Sequence, residues 1–478
     1  MENPITKHIQ LSKKSVSPFY SALMDVSHRE VVSFHALPIA NIKSIEKFEL
    51  YHNYVKLLSH RSSCESTVTS PYLDSLASPS GCLLKAQEIA AELFNADQTL
   101  FITGGSTLSN QIAVQACCNI NSRVIMQRGL HQSLHFAVSS LKINTKYIDD
   151  IELSPETCSS SLNLIEMKNE IQKAERIKKP FDVAIINSQT YEGVIQKLDI
   201  VLLELAKAGP SLKTIIIDEA WGAWSYFDKG LFDHTALAAG RAVNKKFGVD
   251  IVVTQSAHKS LFALRQTSYL HCIGSKKLIE RLKDGRYRLH TSSPSYPLLA
   301  SLDLAREMMH TKGFELVERS KKLANYLRQK INNELNIFNV IDPSDECDID
   351  FSAIMDLTKV WVRVEENGIT GAVLRDLLFK KFNIYTNRYS AHSILFNIHI
   401  GLTEADVESL LKALKEIEEI IVESNFRIDV NNEVSSTFII PYPPGVPLVV
   451  PGELISEKMI KKLSTIRDSG MDLIFIDQ

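Results

Sequence analysis

Apolar residues along this chain fall into two alternating patterns. Short runs rich in β-branched residues occur at Thr99-Leu100-Phe101-Ile102, at 123–126, at Phe181-Asp182-Val183-Ala184-Ile185-Ile186, at Leu212-Lys213-Thr214-Ile215-Ile216-Ile217 and at Asp250-Ile251-Val252-Val253-Thr254-Gln255. Their length and near-continuous hydrophobicity predict strands buried on both faces. Between them, Leu83, Ala86, Ile89, Ala90, Leu93 and Phe94 recur at helical spacing, which predicts an amphipathic helix over 83–94. A second helix is predicted over 111–117, and 143–179 alternates strand with polar helix. This β-α-β order predicts an α/β large domain with a mostly parallel sheet flanked by helices.

After a long connecting helix at 315–335, the pattern changes to strand 360–364, helix 371–380, strand 394–400 and helix 403–422, the make-up of a smaller α+β carboxyl-terminal domain. Prolines in the tail from Pro441 to Glu453 predict a fixed loop there, not a strand. Residues 1–44 read as an arm of one or two helices, with Ser17-Pro18 marking a helix start. The expected divisions are therefore an arm at 1–44, a large domain at 45–312 and a small domain at 313–478. No internal repeat or low-complexity segment interrupts them.

Composition narrows the function classes. A chain of 478 residues with 45% hydrophobic content supports a large core. Its net charge of −3 gives no electrostatic reason to expect nucleic acid or an anionic membrane as partner. The 7 cysteines, at 64, 82, 117, 118, 158, 272 and 347, show no C-x-x-C spacing, which points to reduced thiols rather than disulfides or a zinc site, so no metal is expected. The first residues lack the apolar core of a signal peptide, and no apolar run is long enough to span a bilayer. The expectation is a soluble, cytoplasmic protein.

Candidate chemistry sits where two predicted strands stop. One run ends in Asp218-Glu219-Ala220-Trp221, and the next leads into Ser256-Ala257-His258-Lys259. Neighbouring parallel strands present their carboxyl ends to one crevice, where open α/β sheets bind ligands. A carboxylate and an amine delivered there are the equipment for holding pyridoxal phosphate: Lys259 for covalent attachment, Asp218 to keep the pyridine nitrogen protonated. Taken singly, an Asp at a strand end is more often a turn residue and a Lys is more often a surface charge. Ser256 and His258 flank Ala257 close enough to reach the phosphate end. Strand 99–102 runs into Thr103-Gly104-Gly105-Ser106-Thr107 before a helix, an anion site made of free backbone N–H groups and the helix dipole, so Gly105, Ser106 and Thr107 are assigned to the phosphate. The same residues also suit a simple αβ loop with a cap. Neither a nucleotide P-loop nor a GxGxxG spacing is present. Trp221 is a candidate wall for the cofactor, or a core tryptophan.

These blocks, IIIDEAWGAW at 215–224 and DIVVTQSAHKSLFALRQTSYLH at 250–271, together with Ser70 to Gly81, His131-Gln132-Ser133 and His290 to Asp303, resemble the ornithine/lysine/arginine decarboxylase family of pyridoxal-phosphate enzymes, fold type I. The resemblance runs from about residue 45 to the end. It implies that His131 stacks on the cofactor ring, and that the loop carrying Thr291 and Ser292 crosses to a partner subunit and completes its phosphate site, hence a homodimer or higher homo-oligomer. It implies a small amino-acid substrate, lysine, ornithine or arginine. The larger members carry an extra amino-terminal response-regulator-like domain, not expected here.

Three positions depart from the family pattern. Phe34-His35 is followed by Ala36-Leu37-Pro38 where the family often has a Gly-His-Lys type turn. Thr67-Val68-Thr69 stand where acidic residues are usual, and Arg265 replaces a small polar residue. Glu453, in the tail motif, is either a substrate contact or a structural pairing. The reading is a pyridoxal-phosphate-dependent decarboxylase of an amino acid, with Lys259 or His131 as proton carrier. Its rivals are another reaction with the same cofactor, such as transamination or elimination, and a catalytically silent regulatory scaffold.

Overall fold

The computed structural model describes residues 17–28, 68, 72–154, 156–341, 352–364, 369–386, 388–423, 437–442, 448–449, 455, 459, 463 and 472–477. The 34–41 stretch, Thr67, Thr69 and Glu453 lie outside the described residues.

Seven strands form the central sheet: β1 (Gln98–Ile102), β2 (Arg123–Gln127), β3 (Asn144–Ile148), β4 (Val183–Asn187), β5 (Thr214–Asp218), β6 (Asp250–Gln255) and β7 (Ser268–Ile273). Their order is β1-β7-β6-β5-β4-β2-β3. The pairs β2/β3, β2/β4, β4/β5 and β5/β6 are parallel. β7 runs antiparallel to both of its neighbours.

The mostly parallel sheet flanked by helices is the one the hydrophobic runs predict. Ile215, Ile216 and Ile217 are all fully buried, and alternate residues enter separate cores. Ile215 and Ile217 pack with Leu83, Met167, Val201 and Leu237, while Ile216 packs with Ile112, Leu134 and Leu278. Both faces are thus covered by helices, which is why the run needs no polar alternation. The strand β7 follows Lys259 directly and carries polar Ser268 and His271 in a fully buried run, so its pattern announces a strand less clearly than its neighbours do.

Two expectations change. The connecting helix spans Tyr296–Glu334, 39 residues, and begins well before residue 315; Pro297 falls in its first turn, where the missing N–H has no intrahelical partner to lose. Pro441 and Tyr442 belong to a strand, Thr437–Tyr442, paired antiparallel with Asp472–Asp477. A two-stranded ribbon is all edge, and an edge tolerates a residue that cannot donate.

The described part of the arm, helix Pro18–Ser27, docks on its own chain. Phe19 N and Tyr20 N donate to Asp303 Oδ2 at 3.1 and 3.3 Å, and Arg306 pairs with Asp303 Oδ1 at 2.7 Å with both side chains fully buried. A carboxylate at the first turn satisfies orphan helix donors and complements the dipole.

Contacts divide the chain into two units, 1–329 with 341–361 and 395–407, and 330–340 with 362–394 and 408–478. The first contains the whole seven-stranded sheet. The second contains helix Gly371–Phe382 and the Thr437–Tyr442/Asp472–Asp477 pair, an α+β content.

Candidate active site

Asp218 is the last residue of β5 and is 4% exposed. Asn110 Nδ2 donates to its Oδ2 at 3.0 Å and Ala220 N donates to its Oδ1 at 3.0 Å. Among the described residues no cation pairs with it. Asn110 comes from the helix Gly105–Cys117, and its Oδ1 accepts from Thr254 Oγ1 at 2.7 Å. The same Nδ2 donates to Ser133 Oγ at 3.0 Å, and Ser133 Oγ lies 2.8 Å from His131 Nδ1. Since Ser133 N also donates to Nδ1 at 3.2 Å, that nitrogen is an acceptor and the ring proton sits on Nε2. Three strand or helix ends are thereby tied into one chain, His131–Ser133–Asn110–Asp218. Burial lowers the His131 pKa, with Asp218 raising it and Lys259 lowering it, so all three groups feel one another.

Lys259 lies in a one-turn helix, Ala257–Ser260, just past β6. Its Nζ stands over the Trp221 ring, 4.6 Å from the centroid. Trp221 is held edge-on by Tyr191, centroids 4.6 Å apart at 79°. Burial lowers the Lys259 pKa, and the Asp218 charge opposes that shift. An amine desolvated against aromatic faces is an activated nucleophile.

At the other end of the crevice, Gly105 has φ +70 and its N–H donates to Gln266 O at 2.7 Å. The predicted turn is in fact the first turn of the helix, which starts at Gly105 and has no side-chain cap, so the Ser106 and Thr107 N–H groups have no intrahelical partner; Ser106 is buried and Thr107 exposed. Ser106 Oγ and Ser256 Oγ share a hydrogen bond at 2.6 Å. His258 Nδ1 donates to Thr267 O at 2.8 Å, and its Cε1 is 4.0 Å from where a Gly105 Cβ would stand. Gly105, Ser106, Ser256 and His258 thus meet in one place.

Thr291 and Ser292 are exposed, with Thr291 Oγ1 accepting from Ser293 N at 3.1 Å. The loop is anchored by His290, whose Nε2 accepts from Thr103 N at 3.0 Å, beside the Gly104-Gly105 turn. Arg265 is exposed, and its charge lowers the His258 pKa, behind burial and Lys259 in effect.

Sequence reasoning missed three side chains. Asn110 falls just before the helix predicted over 111–117, whereas the helix starts at Gly105; its place one turn after Ser106 in that helix is the signal that finds it. Glu219 was read only as part of a block; it is fully buried and accepts from Ser188 Oγ, Ala236 N and Gln255 Nε2 at 3.0, 2.9 and 2.7 Å. Lys359 is 4% exposed and stands 4.8 Å from the Trp221 centroid; nothing local distinguishes it from a solvated lysine.

The donor set fits pyridoxal phosphate. A buried carboxylate with two donors and no cation, a desolvated amine with no carboxylate, and an uncapped helix start lie around one crevice, matching a protonated ring nitrogen, an aldehyde and a phosphate. Fold and site together define a fold type I pyridoxal-phosphate enzyme. The family described as "Orn/Lys/Arg decarboxylase, major domain" matches residues 17–406, and its "C-terminal domain" matches 410–472. The chain belongs to this family and is a pyridoxal-phosphate-dependent amino-acid decarboxylase.

Among its relatives, an arginine decarboxylase of Bacillus subtilis is 27% identical, covering 95% of this chain and 94% of the relative. The lysine decarboxylase LdcA of Pseudomonas aeruginosa is 23% identical over 84% of this chain and 59% of that one. The crystal structure of the Francisella novicida lysine decarboxylase LdcF superposes with a TM-score of 0.76 at 19% identity, covering 97% of this chain and 79% of that one.

Proposed function

We infer that this enzyme removes the α-carboxyl group of a basic amino acid, arginine, lysine or ornithine, releasing carbon dioxide and the amine. The observation that carries the reading is the convergence of Asp218 and Lys259, from adjacent strand ends, on a crevice walled by Trp221. The substrate class is supported by the family and by the arginine and lysine decarboxylases among its relatives.

Pyridoxal phosphate, when bound, supplies an electron sink for the bond broken at the substrate Cα. The chain's own residues do the rest. Asp218 holds a proton at the ring nitrogen, and Asn110 holds Asp218 in place. Lys259 would provide covalent attachment, and Lys259 or His131 would carry the proton returned to the substrate Cα. His131, fixed through Nδ1 by Ser133, is placed against the ring to keep its plane constant. Ser106 and Thr107 N–H groups, with Ser256 and His258, hold the phosphate. Thr291 and Ser292, exposed on an anchored loop, serve the phosphate site of a second copy in a homodimer. Trp221 excludes water from the amine. The protein works in the cytoplasm, a setting consistent with its free thiols at Cys82, Cys117, Cys118, Cys158 and Cys272 and with helices of which none, among the described residues, is long and apolar enough to cross a membrane.

The test is to incubate purified holoenzyme with a panel of amino acids and measure carbon dioxide and amine. Release from arginine, lysine or ornithine is expected, and its loss in Lys259→Ala together with the yellow cofactor absorbance. Keto acid formed without carbon dioxide refutes the reading.

A further inference from the structure

One cavity beside Lys259 is lined by Trp221, Ser260, Ser320, Lys359 and His399, and it holds more unspent donors than the attachment chemistry requires. Ser260 Oγ and Ser320 Oγ are buried with no hydrogen-bond partner among the described residues. The Lys359 amine has neither hydrogen bond nor ion pair among them; its contacts are the faces of Trp221 at 4.8 Å and Tyr191 at 5.5 Å. The carboxylate nearest in sequence is already engaged: Asp356 Oδ1 accepts from Thr358 N and Oγ1 at 2.8 and 2.6 Å, and its Oδ2 accepts from Gln189 Nε2 at 2.7 Å.

The placement of Lys359 is built. Gly193 lies at φ +111, and a Cβ there would stand 2.8 Å from Lys359 Cγ, so only a glycine leaves room for the lysine stem. The tight turn Tyr191-Glu192-Gly193 thus wraps the side chain and lays one aromatic face on its amine, while Trp221 supplies a second. Burying an amine and two hydroxyls without acceptors is costly, and the cost is removed by a ligand that brings acceptors only. A carboxylate is such a ligand.

We propose that Lys359, with the hydroxyls of Ser260 and Ser320, forms the subsite that receives the substrate's α-carboxylate beside Lys259. This rests on an α-amino acid being the substrate. Lys259 and Lys359 line the same cavity and each stands against one indole ring, at 4.6 and 4.8 Å from its centroid, and an α-amino acid carries its amine and its carboxylate on the same carbon, so a substrate attached at the Lys259 end brings its carboxylate into the cavity that Lys359 lines. Burial lowers the Lys359 pKa, as does the charge of Lys259, while Asp356 and Glu192 raise it; an arriving carboxylate adds to the raising side. The subsite also distinguishes substrate from product. The amine left after carbon dioxide departs has nothing to offer Lys359, so its hold weakens as the reaction completes.

The test is a stopped-flow titration of holoenzyme, read from cofactor absorbance before turnover, with L-arginine, L-lysine and L-ornithine and with the methyl ester of each. Wild type, Lys359→Met and Ser320→Ala are compared. Wild type is expected to bind at least one free acid about tenfold or more tightly than its ester, from hydrogen bonds to a charged group. Lys359→Met erases that preference to within about twofold, Ser320→Ala reduces it by about threefold or more, and ester affinity changes little in either. Equal binding of acid and ester by wild type overturns the subsite, as does a preference that survives in Lys359→Met or an equal weakening of acid and ester, the mark of a purely structural lysine. Should Lys359→Met fail to fold, an unchanged preference in Ser320→Ala overturns it. Acid-selective binding without carbon dioxide release would instead refute the decarboxylase reading and leave the subsite intact.

Discussion

Asn110 Nδ2 donates to Asp218 Oδ2 and to Ser133 Oγ, both at 3.0 Å, so one amide couples Asp218, the proposed ring-nitrogen partner, through Ser133 to His131, the proposed stacking residue. A hydrogen bond to a charged group is worth about 1.5–3 kcal/mol. Asn110→Ala is expected to weaken cofactor affinity by about tenfold or more, measured by fluorescence titration of apoenzyme. Asn110→Asp, which sets a second carboxylate against Asp218, is expected to be worse than Ala.

Glu219 gives a pH dependence. Burial, aided by the Asp218 charge, pushes its carboxyl from the ordinary 4.5 up to about 7, against hydrogen bonds from Ala236, Gln255 and Ser188 that lower it. Between those two values the native state keeps a proton that the unfolded chain has lost. Its contribution to stability therefore falls as pH rises, by at most about 1.4 kcal/mol per pH unit, and is gone above the folded value. Urea unfolding at pH 5, 6, 7 and 8 should show wild type losing stability relative to Glu219→Gln across that window. Parallel curves would contradict the assignment.

Gly105 combines φ +70 with open space, the nearest atom to a built Cβ being His258 Cε1 at 4.0 Å. Gly105→Ala is then a pure backbone test. A left-handed alanine costs about 1–2 kcal/mol, to be seen as a lower urea midpoint of the apoenzyme, with the Ser106–Ser256 hydrogen bond otherwise retained. Gly105→Val should cost more, because a β-branched residue tolerates that conformation less well.

Trp221 contacts both lysines. Trp221→Phe keeps an aromatic face and should retain carbon dioxide release within about threefold, whereas Trp221→Ala admits water and removes cation–π contacts worth about 0.5–2 kcal/mol each, lowering release by about tenfold or more. Equal losses in the two variants would show that indole-specific packing against Tyr191, and not an aromatic wall, is what matters.

Much of this molecule was legible in the chain. Continuous apolar runs stopping at Asp218 and just before Lys259 encode parallel strands, because burial on both faces removes the polar alternation and leaves polar residues only at strand ends, where chemistry can be placed. The local order strand–glycine–hydroxyl–helix likewise encodes the passage from strand Gln98–Ile102 into the helix that starts at Gly105. Such patterns are readable because they are set by neighbours within a few residues.

Tertiary structure alone decided the rest. Asn110, Glu219 and Lys359 acquire their surroundings from residues far along the chain, such as Thr254, 144 residues from Asn110, and Gln255, 36 residues from Glu219. The direction of β7, the early start of helix Tyr296–Glu334 and the strand at Pro441 depend on which surfaces meet, not on local propensity. Periodicity reports whether a residue turns inward; it carries no record of what that residue meets there, since a polar group's burial is stabilised or left unsatisfied only by groups the fold brings from elsewhere.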